Sequence, residues 1–436
     1  MPRRRRHAPL RLYLNHRLVG HLAKEPGGAT SFSYDESWLA WANAIPVSLS
    51  LPLREDAYRG APVAAVLENL LPDSEALRRR IAERVGAEGS DAYSLLSAIG
   101  RDCVGALQFV ADDEAPDKDA GIEGEPVDDE AIEKLLRGLA QAPLGLSRDD
   151  GFRISVAGAQ EKTALLWDGK RWRKPLGTTP TTHIFKPRIG ELPNGIDLSH
   201  SVENEFYCLR LMAAFGMAVN TATIETFGKT RALVVERFDR RWTKDGRLLR
   251  LPQEDCCQAL SVPPGRKYQS DGGPGLVQIL ELLRGSDRPD EDRKTVFKAQ
   301  ILFWLIGATD GHAKNFSIFL EPGGAFSLTP LYDVLTTQPS LDARRIERKR
   351  MKLAMSVGER NHYRIDGISG RHFLQTAAAA GLPKTMAREA IEEIAAATEG
   401  ALERARHELP RGFPAVIPAS VAKAARSRAA LLASAT

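Results

Sequence analysis

The stretch Gly307-Ala308-Thr309-Asp310-Gly311-His312-Ala313-Lys314-Asn315, with Tyr332-Asp333-Val334 after it, constrains this chain more than any other. An aspartate, an asparagine five positions later and a second aspartate beyond a short strand pair is how kinases arrange phosphoryl transfer. In that chemistry Asp310 orients or deprotonates the attacking hydroxyl, while Asn315 and Asp333 hold Mg²⁺ against the nucleotide phosphates. Mg²⁺ takes hard oxygen ligands and few of them from protein, which an Asn/Asp pair supplies. Val296, Phe297, Ile301, Leu302, Leu305 and Ile306 predict a buried helix that feeds the loop. Phe316–Leu320, a Pro-Gly-Gly turn and Phe326–Leu328 predict strand, turn, strand. Taken alone, the loop has a second reading: a plain Asp-Gly turn with Asn315 as a cap. The upstream sequence decides between them.

There, Thr182-His183-Ile184-Phe185-Lys186 alternates like a strand and ends on a lysine. The next segment predicts a helix capped by Ser201, favoured by Glu203 and Glu205 at its N-terminal end and stopped at Gly216. Its face of Val202, Phe206, Leu209 and Ala213 is expected to pack on the sheet. A strand lysine steadying phosphates and paired with a helix glutamate is a kinase arrangement, and Lys186 and Glu205 precede Asp310 and Asp333 in that order. Thr221–Phe227 and Arg231–Phe238 predict two more strands, the second breaking at Asp239. Glu236, Arg237 and Phe238 at that break are candidates to hold an adenine edge through their main chain. Phe152–Leu166 reads as strand, glycine turn, strand, with Ala157 to Lys162 at the turn. It contains neither GxGxxG nor GxxxxGK[ST], so a typical protein-kinase glycine loop and a Walker loop are both excluded.

A length of 436 residues allows two or three domains, and 43% hydrophobic with 27% charged residues is the composition of an ordinary globular protein. A net charge of +4, part of it in Arg3 to Arg6, does not by itself make a nucleic-acid binder. No stretch reads as a membrane span or signal peptide. Cys103, Cys208, Cys256 and Cys257 form no CxxC, which points to buried thiols in a reducing, cytoplasmic setting. Residues 1–111 read as an N-terminal subdomain: a hairpin around Asn15, further strand segments near Tyr34–Trp41 and at Ile45–Leu51, and a helix ending before Pro72. Residues 112–131 read as an acidic linker, 132–241 as a sheet-rich lobe and 242–436 as an all-helical lobe.

The chain resembles the HipA family of bacterial serine/threonine kinase toxins. The resemblance is carried by Arg153–Leu165, Thr182–Lys186, Val235–Trp242, Arg250–Asp255, Lys267-Tyr268 with Ser270–Gly275, and Thr309–Asn315. It implies an α+β, bilobal protein-kinase-like fold with an added N-terminal α+β subdomain. It also implies ATP- and Mg²⁺-dependent phosphorylation of protein serine, with Asp310, His312 and Asn315 catalytic and Asn315 and Asp333 on the metal. ATP would be met by Ala157, Gly158, Ala159, Gln160, Glu161, Lys162, Lys186, Glu236, Arg237, Phe238, His312, Ala313, Lys314, Asn315, Tyr332 and Asp333. Ser155 matches the family's autophosphorylation serine, whose modification expels the loop and silences the kinase. A HipB-like helix-turn-helix antitoxin, co-repression at operator DNA through that complex, glutamyl-tRNA synthetase as target, and growth arrest with persistence are the family's remaining implications. A small-molecule or lipid kinase, or a catalytically silent co-repressor, are the competing readings.

Overall fold

The structure is a computed structural model and describes residue 7 and residues 9–111, 121–147, 151–158, 160–191 and 196–433. The Arg3–Arg6 run, residues 112–120 of the acidic stretch and Ala159 lie outside the described residues. By its contacts the chain divides into two units. The first comprises residues 1–187, 225–265 and 318–326; the second comprises 188–224, 266–317 and 327–436. The boundaries differ from a simple cut at residue 241, because the chain passes between the units several times.

In the first unit a five-stranded sheet has the order Tyr58–Arg59, Thr30–Tyr34, Arg17–Lys24, Leu10–Leu14, Leu107–Ala111. Its first hairpin turns at Asn15 and His16, both at positive φ. Helices Ala61–Asn69, Glu75–Val85 and Ala92–Ile99 accompany it, the last two capped by Ser74 and Asp91 side chains. Two strand expectations fail here. Trp38 sits on a short helix, Glu36–Leu39, because Asp35 caps it through the Ser37 amide. Residues 45–51 form only a single bridge, Ser48 to Leu51, on a segment broken by Pro46.

The second sheet has six strands in the order Ala222–Phe227, Thr230–Glu236, His183–Pro187, Thr163–Trp167, Trp172–Pro175, Gly124–Pro126. Its last strand pairs with Arg173–Pro175, so the stretch read as linker contains an edge strand and runs into the next helix. Helix Asp129–Gly138, capped by Asp128, closes one side through Ile132 and Leu136, which meet Phe185, Phe227 and Val234. Residues 152–157 are not the first strand of a hairpin. Phe152, Ile154 and Val156 instead enter the apolar core of the N-terminal subdomain with Leu70, Leu71, Leu95 and Phe109. The core therefore continues past the boundary read at residue 111.

The second unit is built on helix Pro289–Ile306. Proline at its first turn, Asp290, Glu291 and Asp292 beside it, and Gly307 at φ 74° set both ends. Neighbours hold it from several sides: Trp304 donates to the Ile365 carbonyl, Gln300 to Met355, and Arg293 to Leu280 and Ala380. Helices Gly370–Ala379, Lys384–His407 and Val416–Ala433 complete the unit, which also carries a two-stranded ladder, Lys352–Val357 with His362–Arg364. Helix Ser201–Ala214, expected on the sheet, belongs to this unit and meets Arg404 and Phe413. Ser201 is its first residue rather than its cap, and its hydroxyl accepts from the Ile189 amide.

Candidate active site

The Asp310 loop begins where the buried helix must stop. A Cβ on Gly307 would approach Met351 Cε to 2.5 Å, and the left-handed φ favours glycine in any case. Gly311 lies against the Phe303 ring, where a Cβ would come to 2.4 Å. The chain then tightens into a short turn: the His312 amide donates to the Asp310 carbonyl, and the Asn315 amide to the His312 carbonyl, both at 2.9 Å. Asp310 ends exposed, whereas His312, Ala313, Lys314 and Asn315 are buried. Buried helix, exposed carboxylate and buried amide follow directly from this local sequence.

Asp333 meets Asn315 from the far side of the hairpin. Asn315 Nδ2 lies 3.4 Å from both the Asp333 carbonyl and Oδ2. Asp333 is held at φ 57°, a left-handed conformation uncommon for a non-glycine residue and frequent where geometry serves function. The Tyr332 hydroxyl donates to the Lys314 carbonyl at 2.7 Å and so accepts from Ser317 at 2.6 Å. Helix Ser201–Ala214 steadies the following residues: Asn204 exchanges two hydrogen bonds with the Thr336 backbone, and Thr336 Oγ1 donates to the Ile306 carbonyl. Asn204 and Thr336 were missed in the sequence; the only signal was a polar residue on a helix face otherwise bound for the core.

The Asn315 side chain is 3% exposed, and its Oδ1 has no hydrogen-bond partner among the described residues. A buried carbonyl oxygen left without a donor is costly and asks for an explanation. On a side chain whose Nδ2 lies 3.4 Å from Asp333 Oδ2, that oxygen is a hard ligand of the kind a divalent cation such as Mg²⁺ takes. No cluster of three or more His, Cys, Asp or Glu that could hold a metal ion occurs among the described residues.

In the first unit Lys186 lies on its strand opposite Leu233 and is 7% exposed. Gly158 has φ 112°, and Lys162 Nζ donates to the Ala157 carbonyl at 2.7 Å. Gln160 Nε2 donates to the Pro187 carbonyl, and Glu161 Oε1 faces Arg80 at 3.9 Å. Ser155 is completely buried: its hydroxyl donates to the Leu70 carbonyl at 2.7 Å and its amide to the Asp102 carbonyl at 2.9 Å.

The Arg237 amide already donates to the Thr182 carbonyl, and the Arg237 carbonyl accepts from the Arg240 amide, which leaves one carbonyl lone pair for an adenine edge. The Arg237 guanidinium bonds Asp239 and Asp102 inside the protein, where Arg240 and Arg250 also reach Asp102. Burial alone would raise the Asp102 carboxyl, but Arg240, Arg237 and Arg250 hold it well below the usual carboxylate range. Glu236 is exposed next to it, and the Phe238 ring packs edge-on against Phe319.

Residues 10–110 match the HipA N-terminal domain, and residues 154–402 match the HipA-like C-terminal domain. The chain belongs to the HipA family. A putative kinase of Sinorhizobium fredii, Y4mE, is 34% identical over 401 residues, 91% of each chain. The serine/threonine-protein kinase toxin HipA of Shewanella oneidensis is 29% identical over 341 residues, 75% of each chain. HipA of Shewanella oneidensis MR-1, solved with HipB and its operator DNA, superposes with a TM-score of 0.79 at 24% identity over 98% of this chain and 99% of that one. That likeness carries the fold, which is the α+β, kinase-like one expected from the sequence. As a HipA-type toxin the chain is a serine/threonine protein kinase.

Proposed function

We propose that this HipA-family kinase moves the γ-phosphoryl group of ATP to a protein serine, with Asp310 as the carboxylate that accepts the hydroxyl proton. Asn315 and Asp333 would hold Mg²⁺, which when bound neutralises charge on the nucleotide phosphates. The observation that carries this is the buried, unpartnered Oδ1 of Asn315, on a side chain whose Nδ2 lies 3.4 Å from Asp333 Oδ2. Lys186 and residues 157–162 are the groups of the first unit assigned to ATP, with Lys186 as the phosphate contact; Glu236, Arg237 and Phe238 keep their adenine-edge assignment. His312 is assigned to catalysis beside Asp310 and Asn315, and His312, Ala313, Lys314 and Tyr332 are assigned to ATP with Asn315 and Asp333.

Ser155 is the proposed autophosphorylation site. A phosphate there adds roughly −1.5 to −2 charges. The pocket between the Leu70 and Asp102 carbonyls offers oxygen acceptors, so a phosphorylated segment could not stay seated. Ejection of residues 152–158 would remove the neighbouring loop 157–162 from service, a physical basis for self-silencing. The solved Shewanella relative assembles with HipB and operator DNA. By extension this chain takes a HipB-like helix-turn-helix antitoxin, reaches operator DNA through it and co-represses its operon. Glutamyl-tRNA synthetase as target, growth arrest with persistence, and a cytoplasmic site of action complete the proposal. The four cysteines are buried and joined by no disulfide among the described residues, which accords with a reducing compartment.

The test is induced expression of the wild-type chain and of Asp310→Ala, followed by phosphoproteomics. The expected result is growth arrest, a new phosphoserine on a translation protein and phosphate on Ser155, all absent in the variant. Equal arrest by both chains would support the silent co-repressor instead. Label confined to sugars or lipids would support a small-molecule kinase.

A further inference from the structure

The segment Lys267-Tyr268 with Ser270–Gly275 was singled out by its sequence, and the function above assigns it nothing. In the second unit it forms a braced loop. Gly272 sits at φ 83°, and the Gly273 amide donates back to the Tyr268 carbonyl at 3.0 Å. A Cβ on Gly273 would fall 1.9 Å from the Arg266 carbonyl, so only glycine closes this turn. Gln269 Oε1 accepts from the Ser356 amide at 2.7 Å and from its hydroxyl at 3.1 Å, fastening the loop to the ladder strand Lys352–Val357. A Cβ on Gly275 would strike the Gln269 side chain.

What this bracing presents is the Tyr268 phenol. Its hydroxyl donates to Asp310 Oδ1 at 2.6 Å, and its ring stands edge-on to His312, with centroids 5.0 Å apart. We infer that Tyr268 is a positioning residue for phosphotransfer: its phenol fixes Asp310 Oδ1 so that Oδ2 is presented to the acceptor hydroxyl. This rests on the reading of Asp310 as the proton acceptor. In that step the serine oxygen bonds the γ-phosphorus, ADP leaves with the electrons of the broken P–O bond, and the serine proton passes to Oδ2. Two physical effects follow from the phenol. An exposed carboxylate rotates freely unless one oxygen is held, and a productive rotamer must be kept to within a few tenths of an ångström. A hydrogen bond donated to the ionised form also keeps the carboxylate charged at lower pH. The rigid loop argues for a fixed brace, since a gate would need a segment free to withdraw.

Tyr268→Phe removes the hydroxyl and keeps the ring against His312. With γ-labelled ATP and Mg²⁺, ADP formation and self-labelling are followed from pH 5 to 9 for wild type, Tyr268→Phe and Asp310→Ala. For Tyr268→Phe, kcat falls about tenfold with KM for ATP unchanged. Its acidic limb moves up by about one pH unit. Circular dichroism melts confirm that the variant is folded, and Tyr268→Trp, which misplaces the donor, does not restore the rate. A Tyr268→Phe enzyme as fast as wild type or faster, with an unmoved acidic limb, overturns the inference while leaving Asp310 in place. A wild type that forms neither ADP nor label, or one matched by Asp310→Ala, overturns the role of Asp310 itself.

Discussion

Two clusters of acidic and polar side chains show how differently the same residue types can be used. In the first unit, Asp102 and Asp239 meet Arg237, Arg240 and Arg250 with every partner in place: Thr181 gives Asp102 two hydrogen bonds, and the Cys103 and Gly105 carbonyls take guanidinium protons. All five charged side chains are almost wholly buried. In the second unit, Asp310 is exposed, Asn315 Oδ1 is buried without a hydrogen-bond partner and Asp333 sits at a positive φ. Saturation marks the first cluster as structure; the missing donor and the unusual backbone mark the second as chemistry. A completely satisfied buried network fixes geometry, whereas an open one is set up to bind something.

Breaking the saturated cluster should be the costlier change for stability. Asp102→Ala leaves three buried guanidinium groups around a hole, and denaturant unfolding should show a loss of about 3–5 kcal/mol. If the loss were under about 1 kcal/mol, the satisfied cluster would not be holding the first unit together. In the open cluster the expectation inverts. Asn315→Ala removes an oxygen that no donor satisfies together with two long Nδ2 contacts to Asp333, so its melting temperature should fall far less than that of Asp102→Ala, while the Mg²⁺ requirement for ATP turnover rises about 10- to 100-fold. A large drop in melting temperature with unchanged Mg²⁺ dependence would make Asn315 a structural residue and erase the contrast.

Glu254 sharpens the comparison from a third position. It is buried in the first unit, with its Oε1 accepting from the Leu49 amide at 2.7 Å, and burial pushes its carboxyl up to about 8. Unfolded, it ionises near 4.5. Between these values the folded state keeps a proton that the unfolded state has shed, so its stabilising contribution declines as pH rises and is gone above about 8. Glu254→Gln should therefore be more stable than wild type near pH 9 by about 4 kcal/mol and nearly equal to it at pH 5. Parallel stability curves for the two proteins would show that Glu254 is ionised throughout.

Much of the second unit was legible in the chain because its signals are local. An apolar helix ending on Gly307 and a tight loop are specified within a few residues of one another. The strands around Lys186 and Val235 could be read for the same reason, since alternation is a short-range pattern. What escaped depends on partners far along the chain. Phe152, Ile154 and Val156 alternate like a strand, yet their place is a core supplied by residues some 50 to 140 positions upstream, and Ser155 between them bonds Leu70. Arg237 looked like part of an exposed break because Asp102 and Thr181, which bury it, are remote in sequence. The Tyr268 contact with Asp310 spans 42 residues, and no periodicity announces it. The glycines behind it were visible as a motif, but their purpose required coordinates.

The most direct test of the contrast between a saturated framework and an open catalytic cluster is phosphate transfer by purified wild type and Asp310→Ala with Mg²⁺ and labelled ATP, beside their thermal melts. The wild type should label serine, and the variant should be slower by about a thousandfold or more, at least about 4 kcal/mol of barrier. Their melting temperatures should agree, because Asp310 is exposed. Comparable labelling by the two proteins, or a variant that is inactive only because it has unfolded, would contradict the account.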